Sequence, residues 1–310
     1  GAPLAAFAQQ KGKVWRIGFL GTASAAVFAP WVEALRAGLR DLGYVEGKNI
    51  VIEFRWAEGK YERLPELAAE LVRLKVDVIV SHGLGTPAAK AATTTIPIVM
   101  AVSADPVALG LVASLARPGG NVTGMASFGP EVTAKRLELL RDAFPRTRRV
   151  AVLLHSDNHN IKVILPAMEA TAKSLKLELL QFKVTGPGDI NSAFAAMTKQ
   201  RVDAVVTTED AMLTTNAETI AKLAAKMRLP SAGSVQFAEA GGLMAYEAAR
   251  LESYRRAATF VDKIFKGAKP GDLPVEQATR FDMVLNLKTA KVLGIQFPPA
   301  IMARAERVIE

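Results

Sequence analysis

Val76-Asp77-Val78-Ile79-Val80-Ser81 and Val202-Asp203-Ala204-Val205-Val206-Thr207 are two versions of one short strand. Each opens on Val-Asp, runs through apolar residues and closes on a hydroxyl side chain. Each also follows a segment of helical period, and each comes after an earlier apolar run, at Ile17 and at Val150. Continuous short apolar runs suit strands covered on both faces. Strands that alternate with amphipathic helices form parallel βαβ units with right-handed crossovers. The echo therefore predicts duplicated architecture: an α/β protein of two Rossmann-like lobes with parallel sheets.

Outward from the first copy, Val14–Leu20 and Asn49–Trp56 read as strands. A helix is expected from about Ala29 to Leu42, stopped by Gly43 at a suitable C′ position. Tyr61–Leu74 places Leu64, Leu67, Ala68, Leu71 and Leu74 on one helical face. Pro87 suits the first turn of the next helix. Ile98–Val102 is a strand, followed by a short helix after Pro106. Arg117-Pro118-Gly119-Gly120-Asn121 breaks the pattern, and Val122 is expected to open the second lobe. There the strands are 122–126, 150–154, 177–182 and 202–206, with helices at 131–144, 161–175, 190–199 and 214–227. Past Gly241-Gly242, strand 243–246, helix 251–265, strands 275–277 and 281–285 and helix 287–293 are too few for a third domain. The expected division is an arm at 1–13, a first lobe of 14–121 plus about 247–279, and a second of 122–246 plus about 280–310. Several crossings between lobes make a hinge, and a hinge makes a cleft.

The chain has 310 residues, no cysteine and a net charge of +9. Without cysteine there are no disulfides, thiolate metal sites or cysteine nucleophiles. The basic residues Arg63, Arg73, Lys75, Lys135, Arg136 and Arg141 are interleaved with Glu62, Glu66, Glu70, Glu131 and Glu138, and read as solvated helix faces rather than a nucleic-acid surface. No run of about 18 apolar residues suggests a membrane span. Ala6-Phe7-Ala8 has the A-x-A form of a signal-peptidase site, so export to the periplasm with Gln9 as the mature start is expected, against the alternative of an Ala-rich arm.

Gly83-Leu84-Gly85-Thr86-Pro87-Ala88 has the G-x-G-x-x-A form of a dinucleotide fingerprint but lies on the third strand, not the first. A Rossmann-type enzyme using this loop for a nucleotide cofactor is the alternative reading. More modestly, the loop offers N–H groups to an anion at a helix N-terminus. His155 and His159 have i,i+4 spacing in a polar loop without a third ligand, so no metal is expected. There is no G-x-S-x-G, P-loop or H-E-x-x-H, hence no catalytic set and no cofactor. Glu209-Asp210 follows a strand end and reads either as a helix N-terminal acid pair or as a cleft contact.

Four stretches then accumulate: Leu39-Arg40-Asp41-Leu42-Gly43-Tyr44-Val45-Glu46-Gly47-Lys48-Asn49-Ile50, Arg117-Pro118-Gly119-Gly120-Asn121-Val122-Thr123-Gly124, Glu239-Ala240-Gly241-Gly242-Leu243-Met244 and Leu285-Asn286-Leu287-Lys288-Thr289-Ala290-Lys291. With them the chain resembles the ABC-transporter substrate-binding proteins of the tryptophan/tyrosine-binding type, over nearly all its length from Val14. The resemblance implies a type I periplasmic-binding fold with three crossings and no catalysis. It also implies a small-molecule ligand, expected to be a carboxylate such as an amino acid or aromatic acid, and a membrane permease as partner. A monomer is expected. By position the ligand contacts would be Thr22, Ala23 and Ser24; Ser81, His82, Gly83 and Thr86; and Ser103 and Asp105. From the second lobe they would be Ser127, Phe128, His155, Asp157, Asp210 and Ser234, with Tyr246 at a crossing. Phe128 would offer an apolar wall or pack in the core. Asp210 or Asp105 would meet a ligand ammonium. Asp210-Ala211 and Tyr246-Glu247 stand where Asp-Pro and Tyr-Gly are common in such proteins.

Overall fold

The computed structural model describes residues 13–310, so the Ala6-Phe7-Ala8 reading lies outside the described residues. The chain builds two sheets. The first holds β1 (Trp15–Gly21), β2 (Ile50–Trp56), β3 (Val78–His82), β4 (Ile98–Ser103), β5 (Val122–Ala126) and β11 (Glu276–Gln277), in the order β11-β5-β4-β3-β1-β2. The second holds β6 (Arg149–His155), β7 (Glu178–Val184), β8 (Ala204–Thr207), β9 (Ser231–Gly233), β10 (Met244–Ala248), β12 (Phe281–Asn286) and β13 (Arg307–Ile309), in the order β13-β12-β10-β9-β8-β6-β7. All pairs are parallel except β10 with β12. The two echoing segments, β3 and β8, take equivalent places beside the strand that opens each lobe.

Helices α1 (Ala25–Asp41), α2 (Leu64–Arg73) and α3 (Gly85–Ala92) connect the first strands. The second lobe carries α4 (Gly129–Ala143), α5 (Ile161–Ser174), α6 (Ile190–Lys199), α7 (Ala211–Thr215), α8 (Ala217–Lys226) and α9 (Val235–Glu239). Then α10 (Arg250–Phe265) returns to the first lobe, while α11 (Leu287–Leu293) and α12 (Pro299–Met302) finish the second. Helix α1 buries Phe28, Trp31, Val32, Leu35 and Leu39, one stripe at helical spacing, against the sheet and α10. Burying such side chains contributes roughly 1.5–3 kcal/mol each.

Several expectations need correction. Val122 does not open the second lobe: β5 pairs in parallel with β4 and closes the first sheet, and the chain crosses only at Ser127–Gly129. The Arg117–Asn121 break is a loop within the first lobe. Helix α1 starts at Ala25, not Ala29, because Ser24 is extended and Pro30 is tolerated inside the helix with its ring side exposed. After Pro106 there are turns, not a helix, since Asp105 Oδ1 takes the N–H groups of Val107 and Ala108 (3.1 and 2.9 Å). The helix expected at 214–227 is two, broken at Asn216. The other crossings fall at Ala249 and at Ala278–Arg280. They are tied together, Ala249 N–H to Arg280 O and Ala278 N–H to Ala126 O, each at 2.9 Å.

Gly124 explains why the break ends as it does. Its φ is +131°, and a Cβ there would lie 2.2 Å from Met100 O on the neighbouring strand. No side chain fits that backbone or that space. Gly124→Ala should therefore destabilise the fold by about 2–4 kcal/mol in urea unfolding. Gly120→Ala, where a Cβ meets nothing within 4 Å, should change stability by less than about 1 kcal/mol. Equal midpoints for the two variants would refute this account of the strand contact.

Candidate functional site

The carboxyl ends of both sheets face each other, as open α/β sheets place their ligand crevices. Between them lies a narrow cleft lined by residues of both lobes, the kind of interdomain crevice in which small-molecule sites occur. The first lobe contributes the turn after β1 (Thr22, Ala23), the start of α1 (Val27, Phe28, Trp31), Tyr61, the turn after β3 (His82, Gly83, Leu84) and Ser127. The second contributes Asn158, Asn160, Glu209, Asp210, Ala211 and Thr214. Arg250, the first residue of α10, enters from the crossing and is the one Lys or Arg among the lining residues.

One wall is aromatic. Phe28 meets Trp31 edge to face at 5.0 Å, His82 stacks on Trp31 at 5.6 Å and 6°, and the Arg250 guanidinium lies 4.9 Å from the Trp31 ring centre. Phe28 and Trp31 are themselves almost fully buried, 1% and 3% exposed, so they border the cleft as a packed aromatic cluster and present it only an edge. The floor is ionic. Glu209 accepts from both Arg136 and Arg250. Arg136 is fully buried and also donates to Tyr246 O and Thr207 O, both at 2.9 Å. Arg250 also meets Glu247 at 2.9 Å. Burial lowers both guanidinium groups to about 10, which leaves them charged, and pushes Glu247 up to about 8. Burial thus works against the charge on Glu247, while the neighbouring Arg136 guanidinium favours it.

Asp210 bridges the lobes. Its Oδ1 caps α7 through the N–H groups of Met212 (2.8 Å) and Leu213 (3.0 Å). Its Oδ2 accepts the Tyr61 hydroxyl at 2.7 Å and faces His155 Nδ1 at 3.2 Å. The Tyr61 oxygen takes the Ala211 N–H at 3.0 Å. His155 Nε2 faces the Thr185 carbonyl at 3.2 Å. Both ring nitrogens face acceptors, an arrangement that favours the protonated ring, and the bond to Asp210 raises the His155 pKa.

Of the residues expected to touch ligand, the cleft gathers Thr22, Ala23, His82, Gly83, Ser127 and Asp210. The others fall elsewhere. Ser81 and Thr86 are fully buried and their hydroxyls bond each other at 2.8 Å. Ser103 is buried, its carbonyl taking the Ser127 N–H and hydroxyl. Ser24 sits at the N-cap of α1 outside the lining. Asp105 caps its own turn, and Ser234 caps α9. Phe128 packs toward Phe281, on which Tyr246 stacks at 5.8 Å, at the crossing rather than in the cleft. His155 stands behind Asp210, and Asp157 is exposed at the outer rim beside it. Arg136, expected on a solvated face, is buried because three acceptors surround its guanidinium. Phe28, Trp31, Tyr61 and Arg250 were not singled out in the sequence. Arg250 alone left a trace there: a cation in the first turn of a helix opposes the helix dipole and needs another reason to be there.

A family model, ABC transporter substrate binding protein, matches residues 26–309. The chain belongs to that family. Members bind small molecules and deliver them to ABC permeases outside the cytoplasm; they are solute-binding proteins and not enzymes. The chain is 28% identical over 262 residues to a tyrosine-binding protein of Clostridioides difficile, covering 83% of this chain and 74% of that one. A Streptococcus pneumoniae ABC domain in complex with L-Trp is 27% identical, with TM-score 0.86, over 94% of this chain and all of that one. A conserved domain protein of Vibrio cholerae is 26% identical, with TM-score 0.90, over 96% and 100%. The fold is the type I periplasmic-binding fold. In this substrate-binding protein the Gly83–Ala88 glycines have conformational reasons: Gly83 has φ +51°, and a Cβ on Gly85 would lie 3.0 Å from Leu20 O.

A raised His155 pKa stabilises the fold fully below its unfolded value near 6.5, and that contribution is lost as pH rises through the folded value. His155→Gln should therefore lower the urea midpoint more at about pH 5.5 than at about pH 8.5. A gap that does not change with pH would mean that His155 is neutral.

Proposed function

We propose that the chain is the periplasmic, monomeric solute-binding component of an ABC importer and captures an aromatic α-amino acid. The two lobes would close over it, turning at the three crossings. One juxtaposition carries this reading: the edge of the Phe28–Trp31 cluster and the side chains of Glu209 and Asp210 line the same cleft. At the same place the N–H groups of Thr22, Ala23 and Leu84 have no acceptor among the described residues.

Those N–H groups lie near the starts of α1 and α3, where the helix dipole favours an anion. They suit the ligand carboxylate. The anion site is thus the turns after β1 and β3, not the Ser81 and Thr86 hydroxyls, which are buried and bonded to each other. An ammonium group would meet the second-lobe carboxylates, and the ring would lie on Trp31. The relatives support this chemistry, one by its name as a tyrosine-binding protein and one by its bound L-Trp.

Isothermal calorimetry should show binding of L-tryptophan or L-tyrosine. The corresponding amide should bind at least about 10-fold more weakly, because buried N–H donors would lose their charged acceptor. Equal affinities for acid and amide would remove the carboxylate. Trp31→Ala should weaken binding by a similar factor, and no change would remove the aromatic wall.

Export rests on Ala6-Phe7-Ala8. Expressed with its full leader in a Gram-negative host, the precursor should yield protein starting at Gln9 in osmotic-shock fluid. Uncleaved protein in the cytosol would overturn that part of the reading.

A further inference from the structure

His82 occupies a position that a phenylalanine could fill. Its ring stacks on Trp31, meets the edge of Phe28 at 5.2 Å and lies 6.0 Å from the Tyr254 ring. An imidazole here brings two polar nitrogens into an aromatic cluster, and each needs a partner. Nδ1 has one: Tyr254 Oη lies 2.8 Å away.

The direction of that bond follows from counting donors. Tyr254 is fully buried, and its hydroxyl makes no other hydrogen bond among the described residues. Burial raises the phenol well above its ordinary value, so the hydrogen stays on. Were Nδ1 to donate, that hydrogen would have no acceptor. Tyr254 therefore donates, Nδ1 accepts, and the ring proton of a neutral imidazole must sit on Nε2.

Nε2 has no protein partner among the described residues, and yet it is not among the fully buried side-chain atoms that lack one. His82 is itself a lining residue of the cleft. The titratable groups facing the ring are Tyr254 and Arg250. Burial, and then the Arg250 charge, hold His82 down to about 3, so it stays neutral.

We propose that His82 is a specificity-determining residue, held by Tyr254 as the Nε2–H tautomer so that it donates one hydrogen bond to an acceptor oxygen of the bound ligand. This rests on the reading of the cleft as an aromatic amino-acid site. The Tyr254–His82 pair spans α10 and β3 of the first lobe, so the donor is set before the second lobe closes. Because the ring carries no charge, it adds direction to the recognition without adding charge to the site.

The test has two arms. Long-range ¹H–¹⁵N correlation spectra of the ligand-free full chain should show the His82 proton on Nε2 throughout the range from about pH 5 to 8. A proton on Nδ1, or protonation within that range, would overturn the proposal whatever the ligand. In calorimetry with L-tryptophan as the probe, the amide of His82→Gln can replace the Nε2–H donor and should bind within about threefold of wild type. His82→Phe keeps the stack and loses the donor, and should bind about 10-fold or more weakly. His82→Asn, whose amide matches the Nδ1 position instead, should resemble the Phe variant. Wild-type affinity in His82→Phe, or equal losses in all three variants, would show a packing role only and overturn the donor. If wild type does not bind L-tryptophan, the amino-acid reading of the cleft fails, and with it the donor's assignment to this ligand class, while the spectra still decide the tautomer.

Discussion

The buried pairing of Glu209 with Arg136 and Arg250 is the constraint on which the rest of the molecule depends. Ions taken out of water cost several kcal/mol each unless charge and hydrogen bonds are both matched. Here the match requires three separate parts of the chain to arrive together: α4 with Arg136, the turn after β8 with Glu209, and the crossing into α10 with Arg250. Arg136 adds the carbonyls of Thr207 and Tyr246, which fixes the ends of β8 and β10 relative to α4. A displaced partner would leave a buried charge unpaired, so the cluster sets the geometry of the hinge side of the cleft.

The aromatic wall follows from the same cluster. With its guanidinium held by two carboxyl groups, Arg250 is placed against Trp31, and Trp31 in turn carries the stack with His82. The Arg250 charge also helps to keep His82 neutral. On the opposite rim the link is Tyr61 to Asp210, which joins the lobes through hydrogen bonds beside a small apolar contact at Ala211. Such a contact can open without exposing a large core surface, as a hinged capture mechanism requires.

Much of the fold was legible in the residues. The Val76–Ser81 and Val202–Thr207 echo gave matching strands, and the apolar face read at Leu64, Leu67, Ala68 and Leu71 became the buried face of α2. Val122–Ala126 was misplaced because a strand's sequence shows that it pairs, not which sheet it joins; the contact of Gly124 with Met100 decides that. The Ser81 and Thr86 hydroxyls looked available to a ligand, yet their spacing across the β3–α3 turn buries them against each other. Arg136 reads in sequence like any basic residue on an amphipathic helix. Only the carbonyl ends of β8 and β10, distant in sequence, make its burial favourable.

By itself the sequence determined the α/β alternation, the two-lobed plan and the family, because apolar period, turn residues and local motifs are properties of neighbouring residues. It also placed the site at the strand ends, since parallel βαβ units put their loops there. Which of those loop side chains face the cleft was decided only by the tertiary structure. Thr22, His82 and Asp210 do, while Ser103, Phe128 and Ser234 turn into the hinge or the helix caps. The reason is that a polar side chain at a strand end takes whichever partner the fold brings within hydrogen-bonding reach, and those partners come from the other lobe or from strands remote in the chain.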